Sequence, residues 1–323
     1  MRIKAKTINL FINNKLILNT FFVFSIIILI YIITNLFVFS KKEEPKLNYK
    51  NKNVFSPVQL PKSITFSEET VPINNFDIAE GIDRELLVNT FWHSQTFLQL
   101  KRANRYFRYI EPILKKNGIP DDFKYLAIVE SGLSNVTSPA GAVGFWQFLK
   151  GTARELGLEV NSEIDERYHI EKSTQAACDY FLESYEKYEN WTLAAASYNI
   201  GRRRLSEELV RQKANNYYDL LLNEETARYI FRAIATKLIF KNPSKYGFNI
   251  KENDLYPFFE TTEVKVDSSV SHFADFANKY GINYKILKIF NPWLRNHYLT
   301  NKSKKEYFIK IPVNTGRSFD EDE

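Results

Sequence analysis

Apolar residues recur at the spacing of an α-helix over residues 83–248, and almost none of this stretch alternates in the manner of a β-strand. Glu85–Lys116 is a long amphipathic segment, after which Pro120 opens a new helix and Pro243 ends the last one. Helices of this kind bury their apolar stripes by packing against each other. The sequence therefore predicts a mainly α domain here.

The N-terminal region has a different pattern. Residues 1–15 carry four basic residues and no acid, and residues 16–39 then run without a charge. At about 1.5 Å per residue such a run spans a hydrocarbon core of about 30 Å, and it lacks the short apolar core and cleavage site of a signal peptide. We expect a single-pass membrane anchor at 16–39, a cytoplasmic tail at 1–15, and the remainder on the extracytoplasmic side of the cell membrane.

Residues 40–82 are polar and rich in Lys, Asn and Pro, which predicts an extended linker. After the helical region, residues 260–313 are expected to form a small α+β unit, and residues 314–323 an acidic tail. The four elements of this unit follow in the order strand, helix, helix, strand, at Thr262–Val266, Ser271–Tyr280, Asn283–Phe290 and Glu306–Ile311.

Composition excludes several classes of function. The net charge of +6 is too mild and too widely spread to indicate nucleic-acid binding. Cys178 is the only cysteine in the sequence, and it is accompanied by four histidines, so the sequence provides no cluster of metal ligands. We therefore expect neither a cofactor nor a metal. Aromatic residues make up 15% of the chain, which fits either sugar-stacking surfaces or a general compositional bias.

Glu130 has an unusual position for an acid. Phe123, Leu126 and Ala127 are spaced i, i+3 and i+4, and Glu130 follows at i+7, so it shares their apolar face. Burial disfavours the charged form and raises a carboxyl pKa, which suits a general acid near neutral pH. Gly132 is expected to end the helix and leave the carboxyl at a cleft edge. A glutamate in a last turn that reaches solvent is the alternative for this helix alone.

Three motifs follow one another in the helical region: Tyr125–Gly132, Ser138–Phe148 and Ala194–Gly201, with Asp165–Tyr168 between the last two. Together they resemble the signature of lytic transglycosylases with a goose-type lysozyme fold, and in particular the membrane-bound D type. The resemblance covers about residues 94–240. It implies a lysozyme-like helical domain that acts on the glycan strands of peptidoglycan.

The resemblance also implies five residues that bind substrate or position groups. Ser131 matches a serine that hydrogen-bonds near the catalytic carboxyl, and Gln147 matches an amide that contacts the sugar. Tyr198 and Asn199 match the pair that shapes the cleft. Tyr229 matches a tyrosine that points at the acid.

Glu130 matches the single general acid and base of the family. The resemblance implies that it protonates the β-1,4 bond between N-acetylmuramic acid and N-acetylglucosamine and then takes the proton of the C6 hydroxyl, leaving a 1,6-anhydro end in cell wall remodelling. Most glycosidases use two carboxylates. Asp165 and Glu166 are candidates for a second, but structural ion pairs suit them better. A hydrolytic lysozyme and a non-catalytic peptidoglycan-binding scaffold are the alternatives.

The C-terminal unit resembles a LysM domain, a module that binds glycans containing N-acetylglucosamine. Phe276, Tyr280-Gly281 and Ile309–Pro312 carry this resemblance. Val266–Val270 departs from the usual Gly-Asp-Thr-Leu entry, so the unit is either a glycan binder or a degenerate module that packs on the catalytic domain.

The helical region also departs from the D-type pattern, at His169-Ile170, where the D type usually has Asp-Pro. We expect it to alter a structural ion pair rather than activity.

Overall fold

The computed structural model describes residues 25–34 and 58–314. Residues 25–34 form helix α1, whose side chains are exposed. The anchor predicted at 16–39 falls mostly outside the described ranges, as do the tail at 1–15 and nearly all of 314–323. Within those ranges, the structure contains no helix with the length and apolar character needed to cross a membrane.

Residues 57–323 belong to one compact unit, of which the structure describes residues 58–314. Its first two strands form a β-hairpin. Strand β1, Ile64–Phe66, pairs antiparallel with β2, Glu69–Val71. Phe66 is fully buried in the main core. Beneath the hairpin, Lys237 forms a buried ion pair with Asp122 at 2.5 Å. The linker predicted over 40–82 is therefore wrong for residues 64–82, because Ile64 and Phe66 of β1 and Val71 of β2 are buried in the main core. Residues 40–57 of that prediction lie outside the described residues.

Two helices replace the single long one expected from the amphipathic pattern. Helix α2 is Phe76–Phe91 and α3 is His93–Lys116, and Trp92 between them has a non-helical ψ of 58°. The Thr96 hydroxyl donates to the main-chain oxygen of Asn89 at 2.6 Å, which satisfies a carbonyl freed by the break. The apolar spacing continues across this one residue, so periodicity alone does not reveal the break.

Six further α-helices complete the described helical region: α4 Lys124–Ser131, α5 Lys150–Glu155, α6 Ile170–Tyr188, α7 Trp191–Ile200, α8 Arg202–Gln212 and α9 Glu224–Lys241. Asparagines begin two of them, because the Asn190 and Asn223 side chains accept main-chain N–H groups at 2.8 and 3.0 Å. Helix α9 packs on α2, α4 and α7. It therefore lies beside the helix that carries Glu130.

The C-terminal module has the predicted order of elements. Strand β3, Thr261–Val266, pairs antiparallel with β4, Tyr307–Pro312. Between them lie helices α10, Phe273–Lys279, and α11, Tyr284–Phe290. The Asn283 side chain caps α11 by accepting the Ile286 N–H at 3.0 Å. The strand–helix–helix–strand prediction is confirmed to within a few residues at each end.

The module shares main-chain hydrogen bonds with the helical region. The Asp165 N–H donates to the Trp293 carbonyl at 2.9 Å, and the Arg295 N–H donates to the Glu163 carbonyl at 2.7 Å. Ile164, which lies between these acids, is buried in the core of the module rather than in the main core. The two parts therefore meet through a packed contact within one compact unit.

Candidate active site

Glu130 lies in the last turn of α4 and is half-buried. Gly132 ends the helix in the left-handed conformation, with φ of 59°, which glycine adopts without strain. The Tyr229 hydroxyl donates to Glu130 Oε1 at 2.7 Å. The carboxyl therefore sits at the end of a helix, oriented by one phenol from α9.

The surroundings favour a proton on Glu130 near neutral pH. Burial raises its pKa from 4.5 to about 7, against the hydrogen bond from Tyr229, which stabilises the anion. The charge of Glu225 raises the pKa further and that of Arg232 lowers it. Glu225, Tyr229 and Arg232 are spaced i, i+4 and i+7, so one face of α9 carries all three groups. The resulting pKa matches the needs of a group that first donates and then accepts a proton.

Ser131 supports the site through the backbone. Its Oγ donates to the carbonyl of Ala127 at 3.0 Å within α4 and to the carbonyl of Phe145 at 2.9 Å. The Ser134 N–H approaches the same Oγ at 3.4 Å. The hydroxyl therefore joins the end of α4 to the loop of the second motif, and its contacts are with main-chain groups rather than with the Glu130 carboxyl.

Gln147 lies in that loop in a left-handed conformation, with φ of 50°. Its Nε2 donates to the carbonyls of Val136 and Gly144 at 3.1 and 2.7 Å. These bonds fix the amide plane, and Oε1 remains the acceptor that a sugar hydroxyl or N–H could approach. Gly144 lies so close to the backbone of Arg167 that a Cβ at this position would be 2.1 Å from the Arg167 carbonyl oxygen.

Tyr198 holds the same loop from the side of α7. Its hydroxyl donates to the carbonyl of Trp146 at 2.6 Å, and its ring lies 5.6 Å from that of Phe148 and 5.0 Å from that of Phe181. Burial and the nearby Glu130 charge raise the Tyr198 pKa well above 10. The phenol is therefore neutral, and the structure gives it a positioning role through the loop.

Asn199 contacts α9 instead of Glu130. The Thr226 hydroxyl donates to Asn199 Oδ1 at 2.8 Å, and Asn199 Nδ2 approaches Glu225 Oε1 at 3.5 Å. Glu225 is exposed, and its charge acts on Glu130. No motif in the sequence singled out this carboxylate, although its position four residues before Tyr229 could have indicated it.

Asp165 and Glu166 have structural partners, as the sequence favoured. Asp165 binds the Arg167 guanidinium through both oxygens at 2.9 and 2.8 Å, and Arg167 also donates to the Phe148 carbonyl at 3.1 Å. Glu166 pairs with Lys172. This buried cluster therefore supports the second motif. Over 25–34 and 58–314, the structure contains no group of three or more His, Cys, Asp or Glu arranged to hold a metal ion.

Comparison with known proteins gives two domain matches. A family described as the transglycosylase SLT domain matches residues 108–221, and one described as the soluble lytic transglycosylase C-terminal LysM-like domain matches residues 262–315. The first match includes Glu130, and it ends before Tyr229. The family resemblance seen in the motifs is thus confirmed for both parts.

The chain is also similar to proteins called membrane-bound lytic murein transglycosylase D from Escherichia coli strain K12 and from Escherichia coli O6:H1. Each is 29% identical over 231 residues, which is 70% of this chain and 50% of the relative. The chain therefore spans about half the length of the curated relatives it matches. The chain thus carries a transglycosylase SLT domain followed by a C-terminal LysM-like domain.

Proposed function

We propose that this chain is a peptidoglycan lytic transglycosylase in which Glu130 is the single general acid and base. The observation that carries the proposal is the state of this carboxyl: half-buried, hydrogen-bonded by Tyr229 at 2.7 Å, and with a pKa raised to about 7. Such a group can give a proton and take one back at neutral pH. The position of Glu130 within the matched transglycosylase domain supports the same conclusion.

The reaction proceeds in two proton transfers. Protonated Glu130 donates to the glycosidic oxygen between N-acetylmuramic acid and N-acetylglucosamine, and the neighbouring N-acetyl group stabilises the charge that develops at C1. The Glu130 carboxylate then takes the proton of the C6 hydroxyl, whose oxygen attacks C1. The product is a 1,6-anhydromuramic end, and no water is consumed. Gln147, Asn199 and Glu225 are the polar groups that would orient the sugars.

The location follows from the N-terminal pattern. The uncharged run at 16–39 and the basic residues before it support a single-pass anchor with residues 40–323 on the extracytoplasmic side. The name of the relatives, which describes them as membrane-bound, agrees with this. Peptidoglycan lies on that side, so the enzyme would remodel the wall next to the membrane.

The test is digestion of purified peptidoglycan by the full-length chain, with the released muropeptides analysed by mass. Glu130→Gln is compared with Glu186→Gln, an exposed residue of α6. We expect anhydro ends from the parent and from Glu186→Gln, and almost no release by Glu130→Gln. Products heavier by one water would instead identify a hydrolytic lysozyme. No release by the folded parent would favour a binding scaffold.

A further inference from the structure

A cavity of about 390 Å³ lies between the helical region and the C-terminal module, away from Glu130. Its volume falls in the range of small-ligand sites. Tyr106 and Tyr168 line it from the helical region, Ile286 and Trp293 line it from the module, and Phe259 lines it from the segment just before β3. Both parts are needed to form it, so it is a feature of the assembled unit rather than of either domain.

Two cations on its walls have no acidic partner in residues 58–314. The Arg105 Nε–H donates to the Pro257 carbonyl at 2.8 Å, and the guanidinium lies 4.8 Å from the Phe259 ring, but Arg105 forms no ion pair with a carboxylate in the described part of the chain. Lys285 is exposed on α11 and likewise forms no described ion pair. A guanidinium that lies close to a ring, with its outer N–H groups unpaired, is well suited to bind a carboxylate.

The acid that lines the cavity is already neutralised. Glu171 pairs with Lys310 of β4, and its Oε2 lies 3.2 Å from His169 Nδ1. The His169 ring in turn packs 5.5 Å from that of Trp293. The cavity thus combines aromatic walls with a surplus of positive charge. The excess positive charge would not attract an uncharged glycan, whereas it would attract an amphipathic anion.

We propose that this cavity binds a muropeptide, an N-acylated sugar that carries a short peptide with a free carboxylate. Arg105 and Lys285 bind the carboxylate, and the rings of Tyr106, Tyr168 and Phe259 pack on the acyl and methyl groups. The identity of the ligand rests on the proposed function, because peptidoglycan is the source of such molecules.

The cavity also contacts the loop that supports the active site. The Phe145 ring lines it and lies 4.7 Å from that of Tyr106, while the Phe145 carbonyl accepts the hydrogen bond from Ser131. A muropeptide held here would lie behind the loop that carries Gln147. The site would thus retain peptide-bearing wall beside the cleft, in addition to any glycan held by the cleft itself.

The test uses the full-length Glu130→Gln chain, which leaves the probe uncleaved, and calorimetric titration with N-acetylmuramyl-L-alanyl-D-isoglutamine. Lys285→Glu should weaken binding about tenfold, since it replaces an attractive charge by a repulsive one. Ile289→Glu, on the exposed rim of the cavity, should weaken it comparably. Lys279→Glu makes the same charge change on α10 outside the cavity and should bind like the parent.

A second probe is the same molecule with its carboxylate amidated, which should bind about tenfold more weakly. Equal binding of both probes, displacement by neutral chitotetraose, an unaffected Lys285→Glu, or no binding at all would overturn the proposal. The muropeptide digestion assay measures the reaction independently. Anhydro ends without probe binding would reject the cavity site alone, and probe binding without cleavage would reject the proposed reaction.

Discussion

Glu130 is held in a state that costs the folded protein stability at neutral pH. Its pKa is raised from 4.5 to about 7 by burial, so the native state binds this proton more tightly than the unfolded chain does. Stability is therefore lost as pH rises between these values. Glu130→Gln should gain at most about 3 kcal/mol in free energy of unfolding at pH 8 and little at pH 4.

Urea unfolding at the two pH values measures this difference. Glu186→Gln is the matched control, because Glu186 is exposed on α6 and its substitution should change stability by less than about 0.5 kcal/mol. An equal gain for Glu130→Gln at both pH values would show that packing, and not the carboxyl charge, is responsible.

Tyr229→Phe should move the pH profile of cleavage in a defined direction. The Tyr229 hydroxyl stabilises the Glu130 anion and so lowers its pKa, and the substitution should raise that pKa above about 7. The acid form would then persist to higher pH, and the alkaline limb of kcat/KM should shift upward. Tyr198→Phe is the control, because its hydroxyl bonds the Trp146 carbonyl. A downward shift in Tyr229→Phe would contradict this assignment.

At this scale the sequence anticipated the geometry of some residues better than others. Helical spacing placed Glu130 on a core-facing stripe, and the structure finds it half-buried at a helix end. The side chains of Gln147 and Tyr198 bind main-chain carbonyls of one loop, and such contacts depend on a loop path that no periodicity encodes. Glu225 was missed because an exposed acid in a first helical turn resembles an ordinary helix start.

The loop between α4 and α5 is the element on which the candidate site depends. Gly144 has φ of 84°, and a Cβ there would lie 2.1 Å from the Arg167 carbonyl oxygen. Gly144→Ala should therefore destabilise the fold by roughly 3 kcal/mol or more, from left-handed strain and from the backbone clash. Gly141→Ala has a similar φ of 78° with nothing within 4 Å, and should cost only about 1 kcal/mol.

Thermal unfolding of the two variants separates the cost of left-handed strain from the cost of the backbone clash. Cleavage is measured well below the unfolding temperature of each variant. We expect Gly144→Ala to lose activity as well, because its clash displaces the loop that carries Gln147. Equal destabilisation of both variants would mean that the loop moves freely away from the Arg167 carbonyl.

Elements were predictable where local signals determine them. Pro243 was expected to end the last helix of the region, and in the structure it follows the end of α9, which the Asn223 side chain caps at its start. The hairpin at residues 64–71 was not found, because two three-residue strands are too short to show alternation and are fixed by packing on distant helices. The break at Trp92 was not predicted either, because the helical spacing of apolar residues continues on both sides of it.

At the scale of the whole molecule, the contact between the module and the helical region is the feature that sequence could not supply. Domain order was readable, and both domain identities are confirmed by comparison. The pairing of Lys310 with Glu171, and of Lys305 with Glu159 at 2.5 Å, joins residues far apart in the chain. Such pairs depend on how two surfaces meet, for which neither surface alone carries a periodic signal.

Glu171 should make that contact sensitive to acid. Burial opposes its ionisation, but His169 and Lys310 outweigh burial and lower its pKa from 4.5 to about 2. The contribution of ionised Glu171 to the free energy of unfolding is therefore present above pH 4.5 and is lost as pH falls toward 2. This contribution is at most about 3 kcal/mol, and solvent screening makes it smaller. Glu171→Gln should weaken the folded state at pH 7 and flatten its loss of stability in acid.

Hydrogen exchange of β4 across this pH range would report the effect on the module directly. In the parent, protection of β4 should fall as pH drops from 4.5 to 2, whereas in Glu171→Gln it should already be reduced at pH 7. Glu263→Gln makes the same change on the exposed face of β3 and should behave as the parent does. If Glu171→Gln kept full protection at pH 7, main-chain bonds such as that from Asp165 to Trp293 would be sufficient to hold the module.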